Sequence, residues 1–331
     1  MNEPIFIARQ DTLEQEILPA HWLAQYKLFG EESYTFQNKE IWKKLCMSRA
    51  AANDRDMHAE ALEEMLTTFS AEHTGKWMLL IYGLDAAVLE GLATMAAIAA
   101  NGTAMAAVAG NALLMHAITN SQTAMHAITN SQTAMHAIAN SETAMQRIAN
   151  STTAMDAIGG SKIARDAVQA SPYYDAKIKE NDMAIAKLVV GFANLESARY
   201  SGCAGMAADS TAMTAVAASA TAMGKIAAVD AALSKLAAST TAMDALYARK
   251  KQMKGGSASK SGKFIILEIS QSNAFNTSKY GYATLSDGSK PDWSSYLAKY
   301  AFFQKYPKYA TYMLNDTDSD DYIYYFDIAS P

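Results

Sequence analysis

The hydrophobic positions in the middle of the chain recur with a period of ten residues. The two best-preserved copies, residues 123–132 and 133–142, both begin Thr-Ala-Met-His-Ala-Ile. In other copies a long side chain is again followed three residues later by Ile, Val or Leu. These pairs are Met95/Ile98, Met105/Val108, Met115/Ile118, Met145/Ile148, Met155/Ile158, Arg165/Val168, Met213/Val216, Met223/Ile226, Leu233/Leu236 and Met243/Leu246. An internal repeat therefore spans roughly half of the chain, in two blocks.

A period of ten does not suit one continuous helix. Ten residues of α-helix turn through about 1,000°, so each copy would be rotated by roughly 80° and the Met/Ile pair would spiral around the axis. Coiled-coil seams need periods of about seven or eleven residues, and residues three apart in a strand face opposite sides. A spacing of three fits a helix, and Ser or Asn before each Thr-Ala-Met is a suitable N-cap. The pattern predicts one helix of about two turns per copy, followed by a tight turn.

Short helices that repeat in this way predict a solenoid, in which each unit buries its apolar face only against its neighbours. Two geometries are open at this point: a coil with one copy per turn, and alternating up-and-down pairs. The small Ala side chains allow the helices to approach closely. The alternative to a solenoid is a long Ala-rich helix, frayed or bundled with others.

Aromatic residues are concentrated on both sides of the repeats. Of 31 aromatic residues, 10 lie in residues 1–87 and 16 lie from Lys263 onward, and aromatic side chains are typical of compact cores. The first segment predicts a helical domain, with an N-cap signal at Asp11–Glu16 and apolar residues at helical intervals over Met57–Phe69. Its core candidates are Trp22, Tyr26, Phe29, Trp42 and Trp77. We expect this domain to dock onto another protein, to cap the repeats, or to do both.

Two further segments interrupt or end the repeats. Near residues 171–200 Pro172 breaks the period, and a more charged amphipathic stretch predicts longer helices or a bend in the array. Residues 254–262, Lys-Gly-Gly-Ser-Ala-Ser-Lys-Ser-Gly, have the composition of a flexible linker. After them, the pattern predicts strands at 263–269, 280–285 and 322–328, a turn at 286–289 and a helix within 293–309.

Together these elements give an α+β multi-domain fold class, with a helical N-terminal domain, an Ala- and Met-rich short-helix solenoid and a small β-rich or α+β C-terminal domain. The predicted domains are residues 1–87 (docking or capping), 88–170 (first repeat block), 171–202 (non-repeat helical insertion), 203–250 (second repeat block), 251–262 (Gly/Ser linker) and 263–331 (aromatic-rich module).

Composition argues against several functional classes. Lys and Arg total 28 against 33 Asp and Glu, and this net charge of -5 argues against a nucleic-acid partner. The start of the sequence has no basic segment followed by an apolar one, so we expect no signal peptide. Residues 77–115 carry few charges and exceed the length of a bilayer span, but Gly, Asn and Thr interrupt them. We expect a buried transition into the repeats there and no membrane insertion.

Few groups of residues point to chemistry. Asp316, Asp318, Asp320 and Asp321 lie in one short loop whose alternating carboxylates suit Ca²⁺, although the Gly and distal Glu of an EF-hand are missing; a solvated acidic turn is the alternative. His116, His126 and His136 recur at one repeat position. On helices about 8–10 Å apart they would line a ladder instead of converging on one metal, so we expect surface histidines.

The two cysteines, Cys46 and Cys203, have no neighbouring His or second Cys, which predicts small buried side chains and no nucleophile. The sequence contains no phosphate-binding Gly loop, no HExxH motif and no nucleophile elbow. We therefore predict no enzymatic activity, no catalytic residue and no cofactor. The calcium candidate Asp316, Asp318 and Asp320 is the one metal site to examine.

The Ser-x-Thr-Ala-Met-x-Ala-Ile/Val-Ala pattern resembles the repeats of tail, fibre and virion-associated proteins of tailed bacteriophages and prophages, over roughly half of the chain. The resemblance implies a structural virion protein of the tail-fibre, baseplate or collar type, made in the host cytoplasm. It implies an attachment domain, a repetitive spacer and a distal module for host attachment. It also implies a homo-oligomer, commonly a trimer, that binds other virion proteins and a host-surface glycan or protein.

Two other functions stay open at this stage. One is a bacterial surface or contractile-injection-system repeat adhesin, against which the expected lack of a secretion signal counts. The other is a virion-associated enzyme that degrades the cell wall.

Overall fold

The structure is a computed structural model of the α+β class. It describes residues 59, 60, 62, 63, 66, 67, 84, 86–89, 91, 92, 94–270, 281–292, 298–316 and 321–331. The chain divides into two compact units, Met1–Lys177 and Ile178–Pro331. In the parts described, the first unit contains helices, and the second contains helices and one five-stranded antiparallel sheet. The predicted N-cap at Asp11, the five aromatic core candidates and Cys46 lie outside the described residues.

One short helix forms in each copy of the first repeat block, as predicted. The helices are α1 (Ala86–Leu89), α2 (Met95–Ala100), α3 (Gly102–Gly110), α4 (Ala112–Asn120), α5 (Gln122–Thr129), α6 (Gln132–Ala139), α7 (Glu142–Ala149), α8 (Thr152–Gly160) and α9 (Lys162–Ala170). From α3 onward each has 8 or 9 residues, a little more than two turns. The alternative of one long Ala-rich helix is wrong for these residues.

A single serine makes both the corner between two helices and the cap of the next one. Ser131 has an extended backbone (φ -107°, ψ 117°), so the chain leaves the helical path for one residue. Its hydroxyl oxygen accepts a hydrogen bond from the Ala134 N–H at 3.1 Å and satisfies one of the free donors at the helix start. The same hydroxyl donates to the Ala99 carbonyl at 2.6 Å. The predicted capping role is confirmed, and the hydroxyl has a second partner that the sequence pattern did not predict.

This second bond recurs along the block and always reaches back 32 residues. The hydroxyls of Ser141, Ser151, Ser161 and Ser171 donate to the carbonyls of Ala109, Thr119, Thr129 and Ala139, respectively. Helices three apart in the chain pack on each other: α2 with α5, α3 with α6, α4 with α7, α5 with α8, and α6 with α9. The packing therefore repeats every three helices. Neither the one-copy coil nor the alternating pair describes it.

The buried face of each helix consists of the Ala-Met and Ile-Ala positions of the repeat. In α7, Ala144, Met145, Ile148 and Ala149 are fully buried. The last three lie one, four and five residues after Ala144, so all four share one face of the helix. Met and Ile supply most of the buried apolar area. Ala leaves room for the helices stacked above and below.

Between the two repeat blocks lie a π-helical turn (Tyr174–Lys179), α10 (Asp182–Phe192) and a 3-10 turn (Ser197–Arg199). Helix α10 is largely apolar and buried, and it includes Lys187, whose side chain is fully enclosed. The Lys187 ammonium donates to the Ser197 carbonyl at 3.1 Å. A buried ammonium needs such partners, because burying an isolated charge is very costly. This bond fixes the 3-10 turn against α10.

The second repeat block has the same three-helix packing. Its helices are α11 (Cys203–Ala208), α12 (Ser210–Ala217), α13 (Ala220–Ala227), α14 (Asp230–Ala237) and α15 (Thr240–Tyr247). Here α10 packs with α13, α11 with α14, and α12 with α15. The Ser239 hydroxyl donates to the Ala207 carbonyl at 2.6 Å, again 32 residues back.

An antiparallel sheet follows α15 after three residues. Its strands are β1 (Lys251–Lys254), β2 (Ala258–Ser270), β3 (Tyr282–Leu285), β4 (Ala310–Asn315) and β5 (Tyr322–Asp327), and α16 (Ala301–Lys305) precedes β4. The strand order is β1-β5-β2-β4-β3, so the long strand β2 is central. One sheet face forms a core with Phe302 of α16, in which Phe264, Met313 and Tyr325 are buried. We call residues 251–331 the sheet module.

The sheet confirms three predictions and corrects two. Strands lie within or across residues 263–269, 280–285 and 322–328, as far as these are described. Residues 251–262 are not a linker, because they form β1, a tight turn and the start of β2. Gly256 (φ 92°) and Ser257 (φ 64°) adopt the left-handed backbone of that turn, which explains the small residues there. The helix predicted within 293–309 is limited to Ala301–Lys305 among the described residues, and β4 was not predicted.

Candidate functional site

The sheet module packs against the last two helices of the second repeat block through a group of polar side chains. We call this contact the junction. Its residues are Asp230, Asp244 and Tyr247 from α14 and α15, with Glu268, Lys299, Tyr300 and Lys308 from the sheet module. The sequence pattern singled out none of these residues, because the two sides of the junction are separated by tens of residues.

Hydrogen bonds and ion pairs cross the junction in both directions. The Tyr247 hydroxyl of α15 donates to the Glu268 carboxylate of β2. The Tyr300 hydroxyl donates to the Asp244 carboxylate at 2.5 Å, and the Lys299 ammonium lies 3.4 Å from the same carboxylate. These contacts attach the sheet module to α15 directly, so the repeats and the module are not separated by a flexible connection.

A second ion pair attaches the module to α14. The Lys308 ammonium lies 2.5 Å from the Asp230 carboxylate and 3.6 Å from that of Asp287, in the turn after β3. Asp230 is the first residue of α14, where a negative charge is also favoured by the helix dipole. Lys308 therefore connects the start of a repeat helix with a turn of the sheet.

Local backbone features direct these side chains. A bulge in β2 between Ile266 and Glu268 shifts the register, so that Glu268 pairs with Tyr324 and shares its face of the sheet. Tyr300 has a left-handed backbone (φ 69°), and its N–H donates to the Leu267 carbonyl in the bulge at 2.5 Å. The bulge thus positions both the carboxylate that accepts from Tyr247 and the tyrosine that donates to α15.

Aromatic rings and ammonium groups fill the space around Tyr247. Its ring contacts those of Tyr300 (5.8 Å between centroids, edge to face) and Tyr324 (6.3 Å). The ammonium groups of Lys250 and Lys299 lie 4.0 and 4.1 Å from the Tyr247 centroid, which are cation–π distances. The ring is thus held by specific contacts and is not an open platform for a ligand.

The junction shifts the pKa of two tyrosines, one aspartate and one lysine, each toward the protonation state that its hydrogen bond or ion pair requires. The hydrogen bond to Glu268, together with burial, raises the pKa of Tyr247 to about 12. Burial and the bond to Asp244 raise the pKa of Tyr300, while the bond from Tyr300 lowers the pKa of Asp244. The bond to Asp230 raises the pKa of Lys308. These shifts favour the protonated tyrosines and lysine and the ionised Asp244 at neutral pH, as their hydrogen bonds require, which supports a structural role for the junction.

The described start of the first array is closed by a carboxylate. Ser121 is the earliest serine at the capping position of the repeats. Its hydroxyl donates to Glu63 and not to a carbonyl 32 residues back. The same carboxylate accepts from the Thr123 N–H at 3.2 Å and the Thr123 hydroxyl at 2.8 Å. Glu63 is helical and belongs to the predicted helix Met57–Phe69. At Ser121 its carboxylate is the acceptor in place of a carbonyl 32 residues back, so the described part of this helix caps the array.

Two surface depressions lie on the first unit. One, of about 840 Å³, is lined by residues that include Glu60, Glu63, His116 and Arg147. The other, of about 1030 Å³, runs over α3, α6 and α9 and is lined mainly by Ala and small polar residues. Since Glu63 already accepts bonds from Ser121 and Thr123, the first depression belongs to the cap.

The three repeat histidines do not form the predicted ladder. His116, His126 and His136 lie on α4, α5 and α6, and these helices pack with α7, α8 and α9, not on one another in a stack. Consecutive copies therefore present their histidines on three different sides. Each histidine carbonyl accepts from the Asn side chain four residues later, at 2.9–3.0 Å. His126 and His136 are exposed, in accordance with the surface prediction.

The calcium loop is described only at its ends. Asp316 accepts from the Ser257 hydroxyl, and Asp321 is buried, with its carbonyl accepting from the Gly255 N–H at 2.8 Å. Asp318 and Asp320 lie outside the described residues. Among the residues that are described, no group of three or more His, Cys, Asp or Glu side chains is arranged to hold a metal ion.

Cys203 is fully buried at the start of α11, as predicted. Burial is the main cause that raises the pKa of its thiol, and Asp182 raises it further. The thiol donates to the Asp182 carbonyl at 3.7 Å. Burial and a raised pKa favour the protonated thiol, which packs at the start of α11.

In the described portion of the chain, no single helix has both the length and the apolar character to cross a bilayer. The neighbouring helices Gly102–Gly110 and Ala112–Asn120 meet these criteria only as a pair, and the chain bends by 102° between them.

No protein-family model matches the chain, and no curated protein matches it.

Proposed function

We propose that the chain is a non-enzymatic structural component of a bacteriophage virion, of the tail-fibre, baseplate or collar type. In this proposal each of the two repeat blocks forms a three-sided solenoid that sets a distance. The observation that carries it is the serine hydroxyl bond that reaches back 32 residues, together with the packing of each helix on the third one before it.

Such packing suits a spacer because length follows directly from copy number. Helices in direct contact lie about 8–10 Å apart, so each set of three copies would advance the array by roughly that distance. Each copy contacts only its neighbours, so copies can be added without a new core. The contacts at Glu63 and at the junction support the same role, because the first closes the described start of the first block and the second closes the end of the second block.

The surface of the first block also favours a passive spacer. Residues 91–141 contain no Asp, Glu, Lys or Arg, so their exposed positions are mostly Ala, Thr, Gln, Asn and His. A surface without formal charge avoids strong attraction to charged partners over that part of the array.

The proposal includes the partners implied by the repeat resemblance. The N-terminal segment would dock onto another virion protein, and the sheet module would contact a further virion protein or a host-surface glycan or protein. The functional assembly would be a homo-oligomer located in the virion, without nucleic acid or membrane insertion. The junction implies that the sheet module is carried as a direct extension of the second block.

Mass spectrometry of particles purified from a producing strain tests this proposal. The chain should be present at a fixed copy number per particle and should be lost from particles of a deletion strain. Its absence from purified particles would remove the virion proposal. A map of the particle from electron microscopy should then show stacked three-helix turns.

The enzyme alternative has its own test. The purified chain is incubated with peptidoglycan and host polysaccharides, beside a lysozyme control. We expect no released fragments, and release of defined products would refute the non-enzymatic part of the proposal.

A further inference from the structure

A basic run lies immediately before and along the first strand of the sheet. Four of the six residues 249–254, Arg-Lys-Lys-Gln-Met-Lys, are basic. Residues 249–309 contain 11 Lys or Arg against 3 Asp or Glu, although the whole chain has a net charge of -5. Arg249, Lys250 and Lys254 are exposed, whereas Lys251 pairs with Asp327 at 3.4 Å. The basic run therefore creates a local positive surface on an acidic protein.

The strand that carries this run is at the edge of the sheet. Among the described strands, β1 has a neighbour on one side only, because the order is β1-β5-β2-β4-β3. The Gly255 N–H donates to the Asp321 carbonyl at 2.8 Å, just beyond the pair Lys254 and Tyr322. Bonded and non-bonded pairs alternate in an antiparallel ladder. The backbone groups of Gln252 and Lys254 therefore point away from β5, toward the open side.

The opposite edge is closed by the chain itself. The Ala283 N–H of β3 donates to the Pro291 carbonyl at 3.1 Å, and the Leu285 N–H donates to the Ser289 carbonyl at 2.9 Å. The two edges are thus different: β3 is covered by its own turn, whereas in the described part of the chain no strand pairs with the outer side of β1, which lies beside exposed cations.

Lysine on an edge strand normally protects it, since cations discourage pairing with another strand. That protection depends on the charge of the incoming strand. A neutral strand would bury or crowd the lysines, and a basic strand would be repelled. An acidic strand would place its carboxylates beside the Arg249, Lys250 and Lys254 side chains, so the charge acts as a selection for one class of partner.

We propose that the open edge of β1 receives an extended acidic segment of another protein as a sixth strand. Backbone hydrogen bonds to Gln252 and Lys254 would supply the affinity. The exposed cations of the basic run would supply the preference for Asp and Glu. This inference depends on the edge geometry alone and not on the virion proposal.

A synthetic peptide that alternates Glu with Val tests this with the full-length protein. Titration calorimetry should show binding, and hydrogen exchange followed by mass spectrometry should show slower exchange within residues 249–254. The same peptide with Gln in place of Glu should bind about tenfold more weakly or not at all, because only the charge differs. Absence of binding by the Glu peptide at millimolar concentration would overturn the proposal.

The variant Gln252→Pro separates strand addition from simple charge attraction. It removes an N–H that faces the open side, so the thermal midpoint should hold while peptide binding is lost. The double variant Lys250→Glu with Lys254→Glu should weaken binding about tenfold or more. Lys290→Glu, an exposed charge reversal next to the closed edge, is the matched control and should have no effect.

Other polyanions test the alternative that the basic run is a general anion-binding surface. Heparin and a single-stranded oligonucleotide lack the peptide backbone that a strand needs. If they compete for the site and Gln252→Pro binds the Glu peptide as well as the parent protein does, strand addition is refuted. Should Gln252→Pro fail to fold, the hydrogen-exchange pattern of the parent chain and the lysine double variant still decide the question.

Discussion

The repeat arrays and the sheet module are stabilised in different ways. In the first array the same serine-to-carbonyl bond recurs from copy to copy, as at Ser131, Ser141 and Ser151. In the sheet module the contacts differ from place to place: the bulge at Leu267, the left-handed Tyr300 and the pair Tyr247–Glu268 each join different elements. Repeated contacts permit changes in length, whereas contacts that differ from place to place fix one register.

The comparison predicts that core truncation has different consequences in the two regions. Phe264→Ala in the sheet core should cost about 3–5 kcal/mol of unfolding free energy, since Phe264 is buried against Tyr325. Met145→Ala in the array should cost about 2–5 kcal/mol. Hydrogen exchange should show increased exchange over the whole sheet in the first variant. In the second it should be confined to copies that contact α7; equal spread in both variants would contradict the comparison.

The serine bond should contribute less than a core side chain but should be measurable. Ser151→Ala removes the cap of Ala154 and the donor to the Thr119 carbonyl, both in a buried setting. We expect a loss of about 1–3 kcal/mol in chemical denaturation. Thr152→Ala, exposed at the adjacent position, is the control and should change stability by about 0.5 kcal/mol or less. Equal effects of the two variants would show that the bond back along the array does not stabilise it.

Much of the array could be predicted from the sequence, and the reason is its regularity. The spacing of Met145 and Ile148 predicts a helix, and Ser141 predicts where it begins. What the sequence could not give is the number of helices in each turn, since that depends on the angle at a one-residue corner. The junction was missed for another reason: Asp244 and Tyr300 meet only after the chain has folded, and the Gly-Gly-Ser segment between them has the composition of a linker although it forms a turn.

The junction should respond to alkaline pH, whereas the serine bonds should not. The folded pKa of Tyr247, about 12, lies above its ordinary value near 10. Its contribution is therefore complete below about pH 10 and is lost as the pH rises toward 12. Phenolate absorbance should show late-titrating tyrosines, and the late component should decrease by one residue in Tyr247→Phe. An unchanged late component in that variant would assign it to another tyrosine, such as Tyr174, whose pKa burial also raises to about 12.

Exposed ion pairs on the array should contribute least. Lys162 and Asp166 are four residues apart on α9, and both side chains are largely exposed. Lys162→Ala should change the free energy of unfolding by about 0.3–0.5 kcal/mol or less, because solvent screens such pairs. The difference should vanish in 1 M salt, where charges are screened over about 3 Å. A larger, salt-insensitive loss would mean that Lys162 packs against the helix instead of acting through its charge.

The three-helix period has a consequence for how such a gene can vary. Loss or gain of one ten-residue copy, by slippage between nearly identical coding segments, would change the direction in which everything downstream points by about a third of a revolution. Only insertions or deletions of thirty residues would change the length of the array and keep the direction in which its end points. Natural variants with different numbers of copies should therefore be found in families that differ by multiples of three wherever both ends must face fixed neighbours.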